Sequence, residues 1–283
     1  MALGGLIMAV EIRGITFFQT GLAYQESHKR KVIQVTPAVA AMLRERHILS
    51  HLKSEQVRFS LGTFLEVSRN VVIEPFATFP VGNRLYPMGA FSYSRSELPV
   101  NTIVGRYSSI ATGVSRMGAN HPMDRFSTSI VTYEGGSAAV NAYLRYRSDQ
   151  IASFTGVAES QPLDQPVVIG NDVWIGQDVT FSSTGITVND GAVIAANALV
   201  TKDVPPYAVV AGNPARVVKY RFDFATIQKL LALKWWQYDF DQFGTVQADD
   251  DVATFLAKVR VLRETDQLQP FVPKPVRLAD FQK

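Results

Sequence analysis

Hydrophobic positions between Val168 and Ala215 recur every six residues, a period that belongs to neither a helix nor a lone strand. An aliphatic or aromatic residue stands at Ile169, Ile175, Phe181, Val188, Ile194 and Val200, with a single seven-residue step after Phe181. A small or polar residue follows each one: Gly170, Gly176, Ser182, Asn189, Ala195 and Thr201. A second apolar or small residue comes four positions after the first: Val173, Val179, Gly185, Ala192, Ala198 and Val204. A helix repeats at about 3.6 residues and a strand alternates at two, so neither asks for a small residue at that fixed offset. A chain wound in flat sides around a narrow axis does, because each apolar side chain stacks on its copy one coil away. The pattern therefore predicts a mainly β protein built on a parallel β-helix. The extra residue before Val188 is expected to bulge a corner without breaking the coil.

The ladder is weaker upstream, where Val104-Gly-Arg-Tyr-Ser-Ser and Ile110-Ala-Thr-Gly-Val-Ser are consecutive units and Ile73-Glu-Pro-Phe-Ala-Thr is a third. Residues 1–66 lie outside the pattern and read as an α/β extension. It has a strand over Val10–Phe18 and a helix from Ala38 to about Lys53, with Thr36 as N-cap, Pro37 at the first helical position, and Val39, Met42, Leu43 and Leu49 near one face. The extension either shapes a binding cleft or covers the open end of the coil, whose backbone edges need a partner. Residues 67–215 form the coil. An insert at about 116–166 interrupts it, carrying Gly135-Gly136 and a helix near Ala138–Arg147; an unpatterned loop of that length is usually functional. Residues 216–283 leave as a helical tail. Asp223 caps one helix with Ile227, Leu230, Leu231 and Trp235 on a stripe, and a second runs from about Asp250 to Arg263, before Pro270, Pro273 and Pro275 end regular structure.

Composition removes several functional classes. A net charge of +3 with no Lys/Arg block gives no reason to expect a nucleic-acid partner. The absence of cysteine excludes disulfides, cysteine-zinc sites and thiol nucleophiles. The apolar run over residues 2–10 is too short to span a bilayer and lacks a signal peptide's basic start. It predicts a buried strand, no membrane insertion and a cytoplasmic protein.

Four histidines are candidates for chemistry: His28, His47, His51 and His121. His47 and His51 are four apart on the expected helix, a metal-ligand spacing, but no third partner accompanies them and a helix face is the simpler reading. His121 sits in the turn-rich segment Gly118-Ala-Asn-His-Pro-Met-Asp124, where Pro122 restricts its backbone. Histidine is the side chain suited to proton abstraction near neutral pH. The alternative is a loop histidine that only bonds neighbouring backbone.

The motifs Asn171-Asp-Val-Trp-Ile-Gly176 and Val200-Thr-Lys-Asp-Val-Pro-Pro-Tyr-Ala-Val-Val-Ala-Gly-Asn-Pro-Ala215 resemble the left-handed β-helix acyltransferases. The segment around His121 with Ser127-Thr128, and Arg221-Phe-Asp with Lys234-Trp-Trp236 in the tail, resemble the xenobiotic acetyltransferase branch, which includes streptogramin and type B chloramphenicol acetyltransferases. The resemblance covers about residues 88–243 and leaves the first 66 uncovered. It implies an acetyl-CoA-dependent O-acetyltransferase with His121 as general base and no metal. It implies that Tyr93, Asn120, Asp124 and Trp174 face the acceptor, and that Gln177, Ala196, Thr201, Arg216 and Lys219 hold the coenzyme. The sequence departs from the branch at Ser108, often cysteine, at Ser129-Ile130, often a proline–phenylalanine pair, and in its long N-terminal extension. The resembling family closes threefold. With outer coil positions including Trp174 and Phe181, this gives a homotrimer with active sites between subunits as the expectation.

The acceptor is expected to be a carbohydrate hydroxyl in surface-polysaccharide or glycolipid synthesis. An antibiotic hydroxyl and the amine of a nucleotide-linked sugar are the alternatives. A zinc enzyme on the same coil would need three histidine ligands, and the coil region offers only His121. A non-catalytic scaffold would leave His121 without a role.

Overall fold

The six-residue ladder winds into three columns of short parallel strands. The computed structural model describes residues 9–24, 29–118, 120–133, 137–147 and 165–282; most of the apolar N-terminal run, His28 and Gly135-Gly136 lie outside them. The first column runs from Val72–Ile73 through Met88 to Ile103–Val104, Val167–Ile169, Ile186–Val188 and Val204. The second joins Thr78, Tyr93–Ser94, Ser109–Ile110, Trp174–Ile175, Val193–Ile194 and Ala208–Ala211. The third pairs Ser115–Arg116 with Thr180–Phe181 and Leu199–Val200, and, nearer the N-terminus, Phe64–Ser68 with Arg84–Leu85. Ile73, Met88, Val104, Ile169 and Val188 are fully buried in one stack, and Ile110, Ile175 and Ile194 in the next. Phe181 is also fully buried. It therefore belongs to the inward ladder and is not an outer position available to a partner.

Neighbouring strands lie about 4.8 Å apart, so adjacent coils touch wherever their corners coincide. A methyl group on Gly176 would come within 2.6 Å of the Ala196 nitrogen, which is why the hexad carries a small residue there. The extra residue before Val188 is absorbed at Gly185, whose φ of +79° lets Ile186–Val188 rejoin Val167–Ile169 in register. The corner after the first column is left-handed in each coil, at Phe76, Phe91, Tyr107, Asp172, Gly191 and Tyr207. Non-glycine residues rarely adopt that region. Here Phe76, Phe91 and Tyr107 stack ring on ring at 5.5 and 5.1 Å, so one packing arrangement holds them all. Ser108, at the position where cysteine is often found, stitches coils together. Its hydroxyl donates to the Gly170 carbonyl at 2.8 Å and accepts from the Val173 N–H at 3.1 Å.

Both ends of the coil are covered. Helix α1 (Pro37–Glu45) is capped by Thr36 and buries Val39 and Leu43 in the same core as Leu65 and Val67. It is shorter than the sequence suggests. The Ile48 N–H turns back to the Leu43 carbonyl, His47 takes φ +51°, and Leu49 then pairs with Thr78 in the second column. The apolar residues after Arg46 thus gain more by joining the coil than by extending a helix. His47 and His51 consequently do not share a helix face, and the His47 ring stacks on Phe76 at 5.2 Å. The expected strand over Val10–Phe18 is a hairpin of Val10–Ile12 and Ile15–Phe17, turned at Arg13-Gly14, both with positive φ.

The chain forms two compact units, residues 1–116 with 164–283, and residues 117–163. In the second, Ser129 caps a 3₁₀ turn over Ile130–Thr132, and helix α2 (Ala138–Tyr146) follows. In the first, helices α3 (Phe224–Leu233) and α4 (Val252–Glu264) are capped by Asp223 and Asp251. No helix among the described residues is long and apolar enough to cross a membrane.

A polar spine runs beside the corner column. Asn171 accepts from the Arg106 N–H at 2.9 Å and donates its own N–H and its amide to Asp190 at 2.8 and 2.9 Å. Burial pushes the Asp190 carboxyl up to about 6 despite those two hydrogen bonds. A carboxyl raised above its unfolded value binds more protons when folded. Its contribution to stability is full below the unfolded pKa of about 4 and is lost as pH rises through the folded value. Asp190→Asn keeps the acceptor oxygen and removes the ionisation. Its melting temperature relative to wild type should therefore rise between about pH 4 and about pH 7, by several degrees. Thermal melts across that range check this, and a pH-independent difference would refute it.

Candidate active site

Alternation along the second column decides which side chains face outward. Ser94, Ile110, Ile175 and Ile194 point into the core, so their neighbours Tyr93, Ser109, Trp174 and Val193 form a continuous row on the outer surface. That row, with Tyr107, Asp172 and Arg221, lines a cleft of about 570 Å³. Two of the expected acceptor residues, Tyr93 and Trp174, therefore share one cleft. Ser109 and Val193 are the small neighbours of Trp174, and its side chain is 59% exposed.

The polar wall of this cleft was not legible in the spacing. Arg221 donates to Asp172 and to the Gly191 carbonyl, each at 2.8 Å, and lies over the Tyr207 and Phe222 rings. Burial pushes the Asp172 carboxyl up, and the Arg221 guanidinium pulls it back. The only available signal was an aspartate at a corner that needs positive φ, which Asp tolerates better than most residues.

The next corner carries the expected coenzyme residues. Gln177 and Ala196 are exposed on successive coils, tied by the Asn197 N–H to Gln177 carbonyl bond at 2.8 Å. Thr201 and Arg216 line one crevice of about 180 Å³ with Lys202, Pro205 and Ala215. Arg216 and Lys219 lie on the closing strand Arg216–Tyr220, opposite Ala211 and Val209. Three residues of plain strand would put them on opposite faces. A bulge at Val218 takes up one position, so both basic side chains share the outward side that Val209 and Ala211 occupy.

Asn120, His121 and Asp124 lie in the inserted unit, all exposed. His121 Nδ1 is 2.9 Å from the Thr128 carbonyl oxygen and 2.9 Å from the Tyr133 hydroxyl. A carbonyl only accepts, so Nδ1 carries the proton and Nε2 is left with its lone pair. The Tyr133 ring stands edge-on to the imidazole at 5.6 Å. The seat is built by the Ser129-Ile130 turn itself, with the Thr132 hydroxyl bonding the Ser129 carbonyl and Arg125 bonding the Thr132 carbonyl. Nothing in the spacing of Tyr133 along the chain marks it as the partner of His121. Among the described residues no three His, Asp or Glu side chains cluster as a metal site.

Comparison with known proteins places the chain in a class of acyl-transferring enzymes. It is 41% identical over 139 residues to a probable macrolide acetyltransferase of Lysinibacillus sphaericus, which covers 48% of this chain and 69% of that one. It is 37% identical over 134 residues to a chloramphenicol acetyltransferase of Agrobacterium fabrum, 47% of this chain and 58% of that one. It is 30% identical over 176 residues to the galactoside O-acetyltransferase of Escherichia coli K12, 60% of this chain and 71% of that one. The matched stretch spans less than two thirds of the chloramphenicol acetyltransferases. A solved hexapeptide-repeat acetyltransferase of Vibrio cholerae, complexed with acetyl coenzyme A, is 22% identical with a TM-score of 0.33, covering 55% of this chain and 70% of that one. No family model matches the chain. The chain belongs to the hexapeptide-repeat acetyltransferases, in their xenobiotic acetyltransferase branch.

Proposed function

We propose that the protein transfers an acetyl group from acetyl-CoA to a carbohydrate hydroxyl, on a left-handed coil, with His121 as general base. The observation that carries the reading is the Nδ1 bond from His121 to the Thr128 carbonyl, which leaves Nε2 free to take a proton. The acceptor oxygen attacks the thioester carbon, the new C–O bond forms as the C–S bond breaks, and the hydroxyl proton passes to Nε2 and then to the departing thiolate. Tyr93 and Trp174 seat the acceptor, with Asn120 and Asp124 beside the base in sequence. Gln177 and Ala196 leave room for a thin pantetheine arm along the coil edge, near Thr201. Arg216 and Lys219, brought to one side by the bulge, meet the coenzyme's phosphate. The acceptor assignment draws on the galactoside O-acetyltransferase, which of the three relatives matches the longest stretch of this chain. The higher identity to the macrolide acetyltransferase favours an antibiotic hydroxyl as the second reading. Thiol release with acetyl-CoA against free sugars, sugar phosphates, chloramphenicol and macrolides separates them, and a drug-only response overturns the carbohydrate assignment.

Three outcomes are expected. His121→Ala lowers turnover by roughly 10²- to 10⁴-fold with coenzyme affinity nearly unchanged, and a folded variant with normal turnover excludes His121 as the base. Neutralising Arg216 and Lys219 together weakens acetyl-CoA far more than dephospho-acetyl-CoA, and equal weakening places their role elsewhere. The exposed Trp174 face is an assembly surface in a homotrimer with active sites between subunits; light scattering should give about three times the chain mass, and an active monomer would contradict it.

A further inference from the structure

The coil edge that carries Gln177 and Ala196 continues toward the N-terminus through Thr112 and Arg95. The Asp178 N–H bonds the Thr112 carbonyl, and the Arg95 N–H bonds the Ile110 carbonyl. Here the N-terminal extension meets the coil. His51, Lys53 and Ser54 from the extension, with Pro80, Arg95 and Thr112 from successive coils, line a cleft of about 540 Å³. Every ionisable side chain among the described lining residues is basic or an imidazole, and none is acidic. The nearby Glu97 carboxylate is turned to the Asn83 N–H at 2.7 Å. Lys53 and Arg95 are exposed, so their charge is available to a ligand. Arg95 is also placed beside the acceptor row. It follows the strand Tyr93–Ser94 at the corner of the same coil, two residues after Tyr93.

From this arrangement we infer that the extension builds an oxyanion site for the acceptor, and that the acceptor is a phosphorylated carbohydrate, a glycosyl phosphate or diphosphate. Two cations with an imidazole and two hydroxyls match a group of two or more negative charges with several acceptor oxygens, and the Asp178 carboxylate beside Gly113 at the rim is held by the Gln177 amide at 3.0 Å. Arg95 lies two coils, about 10 Å, from Gln177. That separation puts the anion site at the coil of Tyr93, one end of the acceptor row, and the expected coenzyme edge at the coil of Trp174, the other end. Arg216 and Lys219 flank the other end of the edge, beside Ala211 two coils beyond Gln177, so the two basic sites serve different phosphates. The inference rests on the carbohydrate reading, and the test keeps the two apart.

Inorganic pyrophosphate is titrated calorimetrically into the full chain, into Lys53→Ala/Arg95→Ala, and into the charge-preserving Lys53→Arg/Arg95→Lys. Coenzyme A binding reports that each variant is folded. The alanine pair should lose at least about tenfold in pyrophosphate affinity, the conservative pair should lose little, and coenzyme A affinity should hold in both. Thiol release is then compared for a hexose 1-phosphate and the matching methyl hexoside. The alanine pair should lose at least about tenfold in kcat/KM on the phosphate and leave the neutral sugar unchanged. Unchanged pyrophosphate affinity in the folded alanine pair overturns the site. So does displacement of pyrophosphate by coenzyme A in direct competition, which would make it a coenzyme subsite. If pyrophosphate binding depends on the pair but no carbohydrate is acetylated, the anion site stands and the carbohydrate reading fails.

Discussion

Arg106 ties the coil to both ends of the chain. Its guanidinium grips the Glu74 carboxylate through two hydrogen bonds, at 2.7 and 2.6 Å, with both side chains 1% exposed. Its remaining donors reach the Trp236 and Phe271 carbonyls at 3.0 Å, and the Phe18 carbonyl lies 3.5 Å away. The Phe271 ring lies under the same guanidinium. An ion pair buried this deeply is weak evidence of net stabilisation, since desolvation opposes the Coulomb gain. Removing one partner would still cost about 3–5 kcal/mol by leaving a buried charge alone. The tail is therefore held against the coil by carbonyls that need this cation, and the cation is held by Glu74 two coils away.

The cleft inherits its shape from that clamp. Tyr107 follows Arg106 at the left-handed corner, packs on Trp235 at 4.7 Å, and opens into the cleft beside Asp172. The Asp172 N–H bonds the Arg106 carbonyl at 2.9 Å, so the corner that carries the cleft's acid is hung from the clamp residue itself. Arg221 then enters from the tail to neutralise it. The tail thus supplies a wall of the cleft as well as a cover for the last coil.

At the other end, the extension meets a different requirement. An open β-coil presents unpaired backbone, and Arg30–Gln34 satisfies it by pairing with Phe64–Ser68. That strand is an edge in turn, and it carries charge: its Arg30 meets Glu66 on the central strand, which Arg84 meets from the strand on the other side. The shortening of α1 sends Ile48 and Leu49 into the coil, and the residues just beyond, His51 to Ser54, emerge at the coil edge where Arg95 lies. Covering the end and furnishing the basic cleft are consequences of one chain path.

The coil can be read from the chain alone. The hexad of Ile169, Ile175 and their successors records which residues stack inward, and Gly170 and Gly176 record where backbones approach, because both effects repeat locally at a fixed offset. The chain also marks the Asp223 cap and the residues of the outer row, Tyr93 and Trp174, through motif. What those residues face depends on contacts made across the fold. By spacing alone Phe181 is an outer aromatic, His47 and His51 a helical pair, and Val10–Phe18 one strand; in the fold Phe181 is buried, the histidines are separated by a turn, and Val10–Phe18 folds back on itself. Tyr133 beside His121, Asp172 beside Arg221, and Lys53 near Arg95 have no periodic signature, because each pair is joined by hydrogen bonding, charge or proximity across the fold and not by spacing along the chain. The bulge at Val218 is the same case in miniature. One unpaired residue, fixed by pairing with Ala208–Ala211, decides that Arg216 and Lys219 share a side.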